Sequence, residues 1–370
     1  MTRTRPPRLA VAAWVLAAAG LVALVVAVSH YLAAAPMEHS DVLIRGGGAD
    51  PVEQLVGSRL VTAWQLDALA LAVAVLAAAA YLTGVALVPV RRPGQRWPWP
   101  RTVAFLAGLA VVVFATCGSI AVYDQVLFTA HMAGHLALVM VAPALLAAGR
   151  PLGLSLAVAR PARRARLERV ATGRVISLLT APPVALVTYT AVIVGSHLTN
   201  LMDVIMRNAW VGQVEHLVYL LAGYQFFVLI LGDEPIRWRL SSPAKWLLLA
   251  LGMAVDTFTG IVLMQGTGAV HLRPSALGVN ALSDTRTGGA IMWFGGDGIM
   301  ALIMIVLVVG WLRNVEQAPA QRGWLEQARG AAFAEHTGAG DGPPERDLDD
   351  DDNARAAYND WLARLERGPH

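Results

Sequence analysis

Long apolar segments separated by short polar loops fill the first 312 residues of the chain. Eight of these segments run for about 20 residues with few charges, which is enough for a helix to cross the hydrocarbon core of a bilayer. Ala and Leu predominate, and the strict alternation typical of membrane barrel strands does not occur, so we predict helices. The expected fold is all-α, a polytopic bundle of about eight transmembrane helices. The predicted spans are residues 9–28, 60–88, 103–122, 127–148, 175–197, 210–231, 246–264 and 288–312.

The basic residues between the predicted spans give the bundle a direction. Seventeen Lys and Arg residues lie before the first span and in every second loop after it, whereas the remaining loops hold five. Positive residues concentrate on the cytoplasmic side of membrane proteins, so both termini are predicted to be cytoplasmic. A cleaved signal peptide is the alternative for the first span. Its long apolar run and Pro36, just after the possible cleavage site, favour an uncleaved anchor.

We assign the helix bundle to residues 1–312. The amino-acid composition changes after it. Residues 313–370 are rich in charge, and the run 347–352 contains five Asp in six positions, too much like charge to pack into a core. We predict a partly disordered cytoplasmic tail that ends in a short amphipathic helix near residues 352–368. A helix that docks on a partner or on the membrane surface is the alternative.

Composition agrees with a membrane protein and excludes several kinds of site. Apolar residues make up 56% of the 370 residues and charged residues only 15%, well below the charge of a soluble domain. Cys117 is the only cysteine, which excludes a disulfide framework and any Cys-x-x-Cys metal or redox motif. The net charge of +3 comes from basic residues in the loops, so the expected surroundings are lipid and no nucleic-acid partner is predicted.

Ionisable residues in or near the predicted spans are few, and each costs about 2.5–3.5 kcal/mol at the centre of a membrane helix. We therefore expect them to face the bundle interior. For Asp256 and Asp297, hydrogen bonding to a polar partner is the first interpretation, and handling of a proton or cation is the alternative. The whole set comprises Asp67, Asp124, His131, His135, His197, Glu215, His216, Asp256, Asp284 and Asp297.

The histidines are distributed on one side of the predicted membrane. Seven of the nine lie in the outer half or in the outer loops, and the other two belong to the tail. Imidazole is the commonest protein ligand for metals and suits copper and zinc. His131 and His135 are four residues apart, which places both rings on one helix face about one turn below the outer surface. His197 and His216 lie at a suitable depth to complete a metal site; structural hydrogen bonding is the alternative for all four.

Three ordered blocks within residues 100–312 form one pattern. Together they resemble the integral membrane CtaG family, the cytochrome c oxidase assembly factors associated with caa-type oxidases. That family usually has seven spans, so the N-terminal span and the acidic tail look like additions. The blocks are Tyr123-Asp124 through His131-Met132-x-x-His135 to Gly149-x-Pro151, then His197 with Glu215-His216, and finally Asp284 with Gly288-Gly289 and Met292-Trp293.

The resemblance implies a role in assembling the copper centres of a respiratory oxidase at the outer face of the bacterial cytoplasmic membrane. Oxidase subunits would be the partners. Combined with the histidines, it gives the hypothesis that His131, His135, His197 and His216 hold copper in transit. Met132 would be an adjustable sulfur ligand, since thioethers suit Cu(I). Neutral imidazoles are required, so acidification below the unperturbed histidine pKa of about 6.5 is expected to release the metal.

Three other functions stay open at this point. A transporter for copper or another cation would use Asp67, Asp256 and Asp297 as a path through the bundle. A haem-binding electron carrier would clasp iron between membrane histidines. A structural assembly chaperone would use the histidines only for hydrogen bonds. The sequence has no nucleophile with a paired base, no phosphate-binding glycine loop and no H-E-x-x-H motif, so an enzyme is not expected.

Overall fold

The computed structural model describes residues 57–124, 126–199, 201, 209–268, 278–316 and 359. Within these residues the chain forms helices and turns without a strand, which confirms the all-α prediction. The chain divides into two compact units, residues 1–304 and 305–370, and the first contains the candidate site. In the second, the described residues are the end of the last helix and Asn359, so most of the predicted tail lies outside the described residues.

Fourteen α-helices follow one another in the described residues. Two five-residue π-helical segments, Ala137–Val141 and Ile291–Gly295, join α5 to α6 and α13 to α14 without interrupting the helix. In chain order the α-helices are α1 Arg59–Thr62, α2 Ala68–Arg91, α3 Trp99–Cys117, α4 Ser119–Asp124, α5 Phe128–Leu136, α6 Ala142–Ala148, α7 Pro151–Val158, α8 Pro161–Ala171, α9 Arg174–Leu179, α10 Pro182–His197, α11 Ala209–Ile230, α12 Ser242–Gln265, α13 Ala281–Ala290 and α14 Gly296–Glu316.

Six helical segments among the described residues are long and apolar enough to cross a membrane. They coincide with the predicted second, third, fourth, sixth, seventh and eighth spans. The predicted first span, residues 9–28, lies outside the described residues, so the count of eight stays a prediction. The six segments are Ala68–Arg91, Trp99–Asp124, Phe128–Val158, Val211–Ile230, Ser242–Gln265 and Ala281–Leu312.

The predicted fifth span, residues 175–197, is two helices and not one, which corrects the prediction. α9 ends at Leu179, and α10 begins at Pro182 after Ala181 in an extended conformation. A residue before proline is pushed out of the helical region, and proline favours the first turn of a helix, so Pro182 and Pro183 begin a helix here. α10 has 16 residues, about 24 Å, which is shorter than a hydrocarbon core of about 30 Å.

Asp67 lies in front of a helix and not inside one, as the predicted span 60–88 had implied. α1 ends at Thr62, and the Asp67 side chain caps α2 by accepting a hydrogen bond from the Ala70 N–H at 2.9 Å. Gln213 on α11 donates to its other carboxylate oxygen at 2.8 Å. Asp67 therefore serves as a helix cap and an interhelical contact.

Helices approach most closely where glycine removes a side chain. A Cβ on Gly223 of α11 would lie 2.0 Å from the carbonyl oxygen of Val139, in the first π-helical segment. Gly260 on α12 and Gly289 on α13 face each other in the same way, since a Cβ on either would lie within 2.9 Å of the carbonyl oxygen of the other. Small residues bring membrane helices together by close backbone packing.

A buried carboxylate, Glu234, caps α7. This cap lies at the end of α5–α7 that is farther from His131 and His135. Glu234 accepts hydrogen bonds from the N–H groups of Leu152 at 3.0 Å and Gly153 at 2.7 Å, at the start of α7. The preceding residue Arg150 has a left-handed backbone with φ of 53° and pairs with Asp233 at 2.9 Å. Burial raises the pKa of the Glu234 carboxyl, and the two N–H groups and nearby arginines oppose part of that shift.

Candidate functional site: a buried histidine cluster

Helix α5 carries two of the predicted ligands, and a residue distant in the sequence fixes its start. His131 and His135 lie one turn apart on α5, only 4% and 2% exposed. The helix has no side-chain cap of its own. Asp284 on α13 supplies one, because its carboxylate accepts the N–H of Phe128 at 2.6 Å and that of Thr129 at 3.2 Å. A negative group at a helix N-terminus also complements the helix dipole.

The last residue of α10 provides the third histidine. His197 Nδ1 lies 2.8 Å from the carbonyl oxygen of Ile193 and 2.8 Å from Oγ of Ser196. The Ser196 hydroxyl itself donates to the carbonyl of Val192 at 2.7 Å. Because the Ile193 carbonyl can only accept, this hydrogen-bond network assigns the proton of neutral His197 to Nδ1. Nε2 then keeps its lone pair for a ligand.

Three histidines and a tyrosine form one cluster of rings, which we call the histidine cluster: His131, His135, His197 and Tyr219. The His135 ring meets the His197 ring edge to face with centroids 4.4 Å apart, and the Tyr219 ring at 4.2 Å. The centroids of His131 and His197 are 6.1 Å apart. Since these residues come from α5, α10 and α11, three helices converge on one place.

Two carboxylates flank His131. Asp124 Oδ1 lies 2.8 Å from His131 Nδ1, and Glu215 Oε1 lies 3.9 Å from His131 Nε2. The Tyr219 hydroxyl donates to the same Glu215 oxygen at 2.5 Å. An acceptor at Nδ1 places the proton of a neutral imidazole there and leaves the Nε2 lone pair free. The two acids also make the surroundings of the cluster favourable for a cation.

Four ring nitrogens of the cluster are buried without a hydrogen-bond partner: His131 Nε2, both nitrogens of His135, and His197 Nε2. Leaving a buried polar group unpaired costs about 1–3 kcal/mol. Imidazole nitrogens with free lone pairs suit copper and zinc, so this donor set fits a metal. Among the described residues, no group of three or more His, Cys, Asp or Glu side chains already surrounds one metal position. Binding would therefore require side-chain movement.

His216 and Met132 lie outside this cluster of rings. His216 follows Glu215 directly, so it points about 100° away around α11, and no ring contact joins it to the other three histidines in the described part of the chain. Met132 is buried against α13, with Cγ 3.0 Å from where a Cβ on Gly288 would lie. The structure brings together three of the five predicted ligands, and a metal role for all five stays a prediction.

The two acids near the middle of the last spans have polar partners. Asp256 on α12 is fully buried and accepts a hydrogen bond from the Tyr189 hydroxyl at 2.9 Å, while its Oδ1 has no partner. Asp297 on α14 accepts a hydrogen bond from the Thr257 hydroxyl at 2.9 Å. Both acids therefore have the polar partner that the first interpretation predicts, and handling of a proton or cation stays an untested alternative.

Sequence reasoning missed Tyr219 and the capping role of Asp284. Tyr219 is four residues after Glu215, and this spacing on a helix indicates a side-chain pair. The cap has no comparable local signal, because Asp284 is 156 residues away from Phe128 along the chain. Only the packing of α13 against α5 brings the two together.

The helices and the cluster define a class: a multi-pass helical membrane protein with a buried group of imidazoles and carboxylates whose chemistry suits a metal cation. Residues 79–314 match the cytochrome c oxidase caa3 assembly factor family, Caa3_CtaG, and the chain belongs to this family. The match begins in α2, ends in α14 and includes every residue of the histidine cluster. It confirms the resemblance seen in the sequence and favours a non-catalytic role.

Three mycobacterial proteins are also similar to this chain. Uncharacterized proteins of Mycobacterium bovis and Mycobacterium tuberculosis are each 32% identical over 269 residues, which is 70% of this chain and 40% of each relative. An uncharacterized protein of Mycobacterium leprae is 32% identical over 274 residues, 69% of this chain and 40% of the relative. The chain thus spans about two fifths of the length of these relatives. No solved structure matches it.

Proposed function

We propose that this chain takes part in the assembly of a respiratory cytochrome c oxidase by holding copper as cargo in the histidine cluster. The site would lie near the outer face of the bacterial cytoplasmic membrane, and oxidase subunits would receive the metal. The observation that supports this most is the set of four unpartnered imidazole nitrogens on His131, His135 and His197 inside the bundle. The chain would act as a carrier and not as an enzyme.

The surroundings of the histidines support copper binding in two ways. Asp124 and the Ile193 carbonyl hold the Nδ1 protons of His131 and His197, which leaves both Nε2 lone pairs available. The carboxylates of Asp124 and Glu215 offset the charge of a bound cation, and a charge inside a membrane bundle needs such a partner. A ligand set that the protein does not complete leaves a position open for the recipient.

The other functions have less support in the described residues. If the histidines served only structural hydrogen bonds, their buried nitrogens would have partners, as most buried polar atoms do. A haem held between imidazoles needs a gap, but His135 touches the rings of His197 and Tyr219 directly. In the alternative transport path, Asp67 already holds a helix start and a glutamine of α11. We therefore favour the copper carrier over the structural chaperone, the haem carrier and the transporter.

A copper titration of the purified chain tests the proposal. We would express the full chain, purify it in detergent under reducing, anaerobic conditions, and measure Cu(I) stoichiometry and affinity by competition with a coloured chelator. We expect about one tightly held copper, with nitrogen ligands in X-ray absorption. The double variant His135→Ala, His197→Ala is expected to lose it, and a variant in a tail histidine, His336→Ala, is the matched control that keeps it.

Two outcomes of this titration are decisive. Copper retention by the double variant at wild-type affinity would overturn the proposal, provided that the variant elutes and melts as the wild type does. The single variant His216→Ala distinguishes the two forms of the site, because retained copper indicates the three-histidine cluster and lost copper indicates the four-histidine site predicted from the sequence. Zinc titrated in parallel identifies the metal.

The assembly role requires a measurement in cells. A strain lacking the gene is expected to contain oxidase protein with reduced copper content, and the wild-type gene is expected to restore it. The double variant, expressed to the same level, is expected not to restore it. Full restoration by that variant would separate the assembly role from the histidine cluster.

A further inference from the structure

Helix α8 is a concentrated basic surface. The segment 160–174, which contains it, has six arginines and one carboxylate, Glu168, and all six arginines are exposed. Glu168 pairs with Arg164 at 2.8 Å, four residues apart on the helix. In the part of the chain that the structure describes, Arg160, Arg163 and Arg166 have no carboxylate partner. A surface with this excess of positive charge attracts anionic partners.

Tryptophans mark a membrane boundary beside this helix. The Trp238 indole N–H donates to the carbonyl oxygen of Ser177 on α9 at 2.6 Å, which ties α9 to the loop before α12. Trp99 begins α3 and Trp246 lies in the first turns of α12, and their side chains are 74% and 44% exposed. Trp99 and Trp246 lie at helix ends and Trp238 lies in the loop before α12, all on the side predicted to be cytoplasmic. Trp is enriched at the membrane–water interface, which supports a position of α9 near headgroup level.

Exposed apolar residues of α9 are suited to contact with lipid. Val175 and Leu178 are 70% and 64% exposed although both are aliphatic. At the level of the tryptophans they would contact the upper part of the lipid chains. α8 ends only three residues before α9 begins, so its arginines lie within reach of the lipid phosphates.

We propose that α8 and α9 form a docking surface for anionic phospholipid headgroups of the cytoplasmic leaflet, with phosphatidylglycerol as the simplest representative. The guanidinium groups of α8 hydrogen-bond the phosphates, and Val175 and Leu178 enter the lipid layer. Arginine is suited to phosphate because its planar donor fork matches two oxygens at once. The surface lies away from the histidine cluster, so the proposal does not depend on copper binding. It does depend on the predicted orientation.

Lipid binding to the purified chain tests this surface. We would count lipids that stay bound to the full chain in native mass spectrometry, and titrate mixed detergent micelles with phosphatidylglycerol or with phosphatidylcholine. The variant Arg163→Gln, Arg166→Gln, Arg169→Gln is compared with Arg91→Gln, Arg92→Gln, Arg96→Gln, which removes the same charge from the end of α2 and the loop after it. Each basic residue near an anionic surface contributes about fivefold in affinity, so the α8 variant is expected to bind phosphatidylglycerol about a hundredfold more weakly.

The proposal predicts three further features of the measurement. Phosphatidylglycerol binds better than phosphatidylcholine, raised salt weakens the preference, and the control variant keeps most of it. Equal binding by the α8 variant and the wild type would overturn the proposal. So would an equal loss in both variants, since that would indicate a general attraction to basic loops. Binding of an acidic peptide to α8 with no preference for anionic lipid would assign the surface to a protein partner instead.

Discussion

The three histidines of the cluster are held in three different ways. Asp124 fixes the Nδ1 proton of His131, and a backbone carbonyl of its own helix does the same for His197. His135 has no hydrogen bond on either nitrogen and is held by ring contacts alone. It can therefore rotate and change tautomer at lower cost than the other two. We expect His135 to make most of the side-chain movement that a bound metal needs.

The charge of Asp124 is expected to matter for copper affinity beyond its role as an acceptor. Asp124→Asn keeps an oxygen near His131 Nδ1 but removes the negative charge. Changes to groups that orient a metal-binding histidine typically cost 10–100-fold in affinity. We predict a Cu(I) affinity about 10–100-fold weaker, measured by chelator competition. The control Glu168→Gln removes an exposed carboxylate on α8 and should leave the affinity unchanged; equal affinities for all three proteins would contradict the prediction.

Tyr219 is expected to act through Glu215. Its hydroxyl bonds the carboxylate that faces His131, and its ring packs on His135. Tyr219→Phe preserves the ring and removes the hydroxyl, so Glu215 loses one donor. We predict a stability loss of about 1–3 kcal/mol and a weaker copper affinity, and Tyr219→Ala should lose more of both because it also removes the ring. Identical copper affinity in wild type and Tyr219→Phe would show that only the ring of Tyr219 matters.

At the scale of helices, the start of α5 depends on Asp284. The carboxylate receives two backbone N–H groups and the Thr129 hydroxyl, whose oxygen lies 2.5 Å away. Loss of a helix cap costs about 0.5–2 kcal/mol, and hydrogen bonds to a charged group are at the upper end. Asp284→Ala should therefore destabilise the fold by about 1–3 kcal/mol and loosen the cluster. Asp284→Asn, which can still accept one bond, should lose less.

These two variants separate stability from copper binding. Melting in detergent measures the first, and chelator competition at a temperature where both variants are folded measures the second. We expect copper affinity to fall together with the cap, in the order wild type, Asn, Ala. A fall in melting temperature without a change in affinity would mean that α5 starts in the same place without its cap.

The cap of α7 should give the fold a pH dependence of known sign. Burial raises the pKa of Glu234 in the folded protein above its ordinary value. A raised carboxyl pKa contributes stability that is fully present below the ordinary pKa and is lost as pH rises through the folded pKa. The melting temperature of the wild type minus that of Glu234→Gln should therefore increase as pH falls from 8 toward 5. A difference that is constant or that decreases would contradict this sign.

The long helices were predictable from apolar runs, because a bilayer requires about 20 such residues whatever their neighbours are. The breaks were harder to predict. The predicted span 175–197 continues through Pro182 and Pro183, although these residues start α10, and the predicted span 60–88 includes Asp67, although α2 begins after it. The pair His131 and His135 followed from helical spacing. The contacts of His135 with His197 and Tyr219 depend on how α10 and α11 pack against α5. A local pattern in the sequence does not indicate that packing.

At the scale of the whole molecule, the proposed direction of copper transfer depends on which side each loop faces. The histidine cluster uses residues near the start of α5 and the end of α10, while the basic helix α8 and Glu234 lie toward the opposite helix ends. Seventeen basic residues against five predict that the α8 end is cytoplasmic. A reversed bundle would place the copper site beside the cytoplasm and α8 outside, so both proposals require the predicted orientation.

Labelling of single introduced cysteines can measure the orientation directly, because the wild-type chain has no exposed thiol that would react. Cys117 is the only cysteine in the sequence and is 4% exposed, so a membrane-impermeant maleimide should not label the wild type. Ser58 and Gln95 are exposed; Ser58 lies just before α1, on the side where α2 begins, and Gln95 lies just after α2 ends. We predict that Ser58→Cys is labelled in intact cells and that Gln95→Cys is labelled only after permeabilisation. Both should react fully in detergent, and the opposite pattern in intact cells would reverse the bundle and move the copper site to the cytoplasmic side.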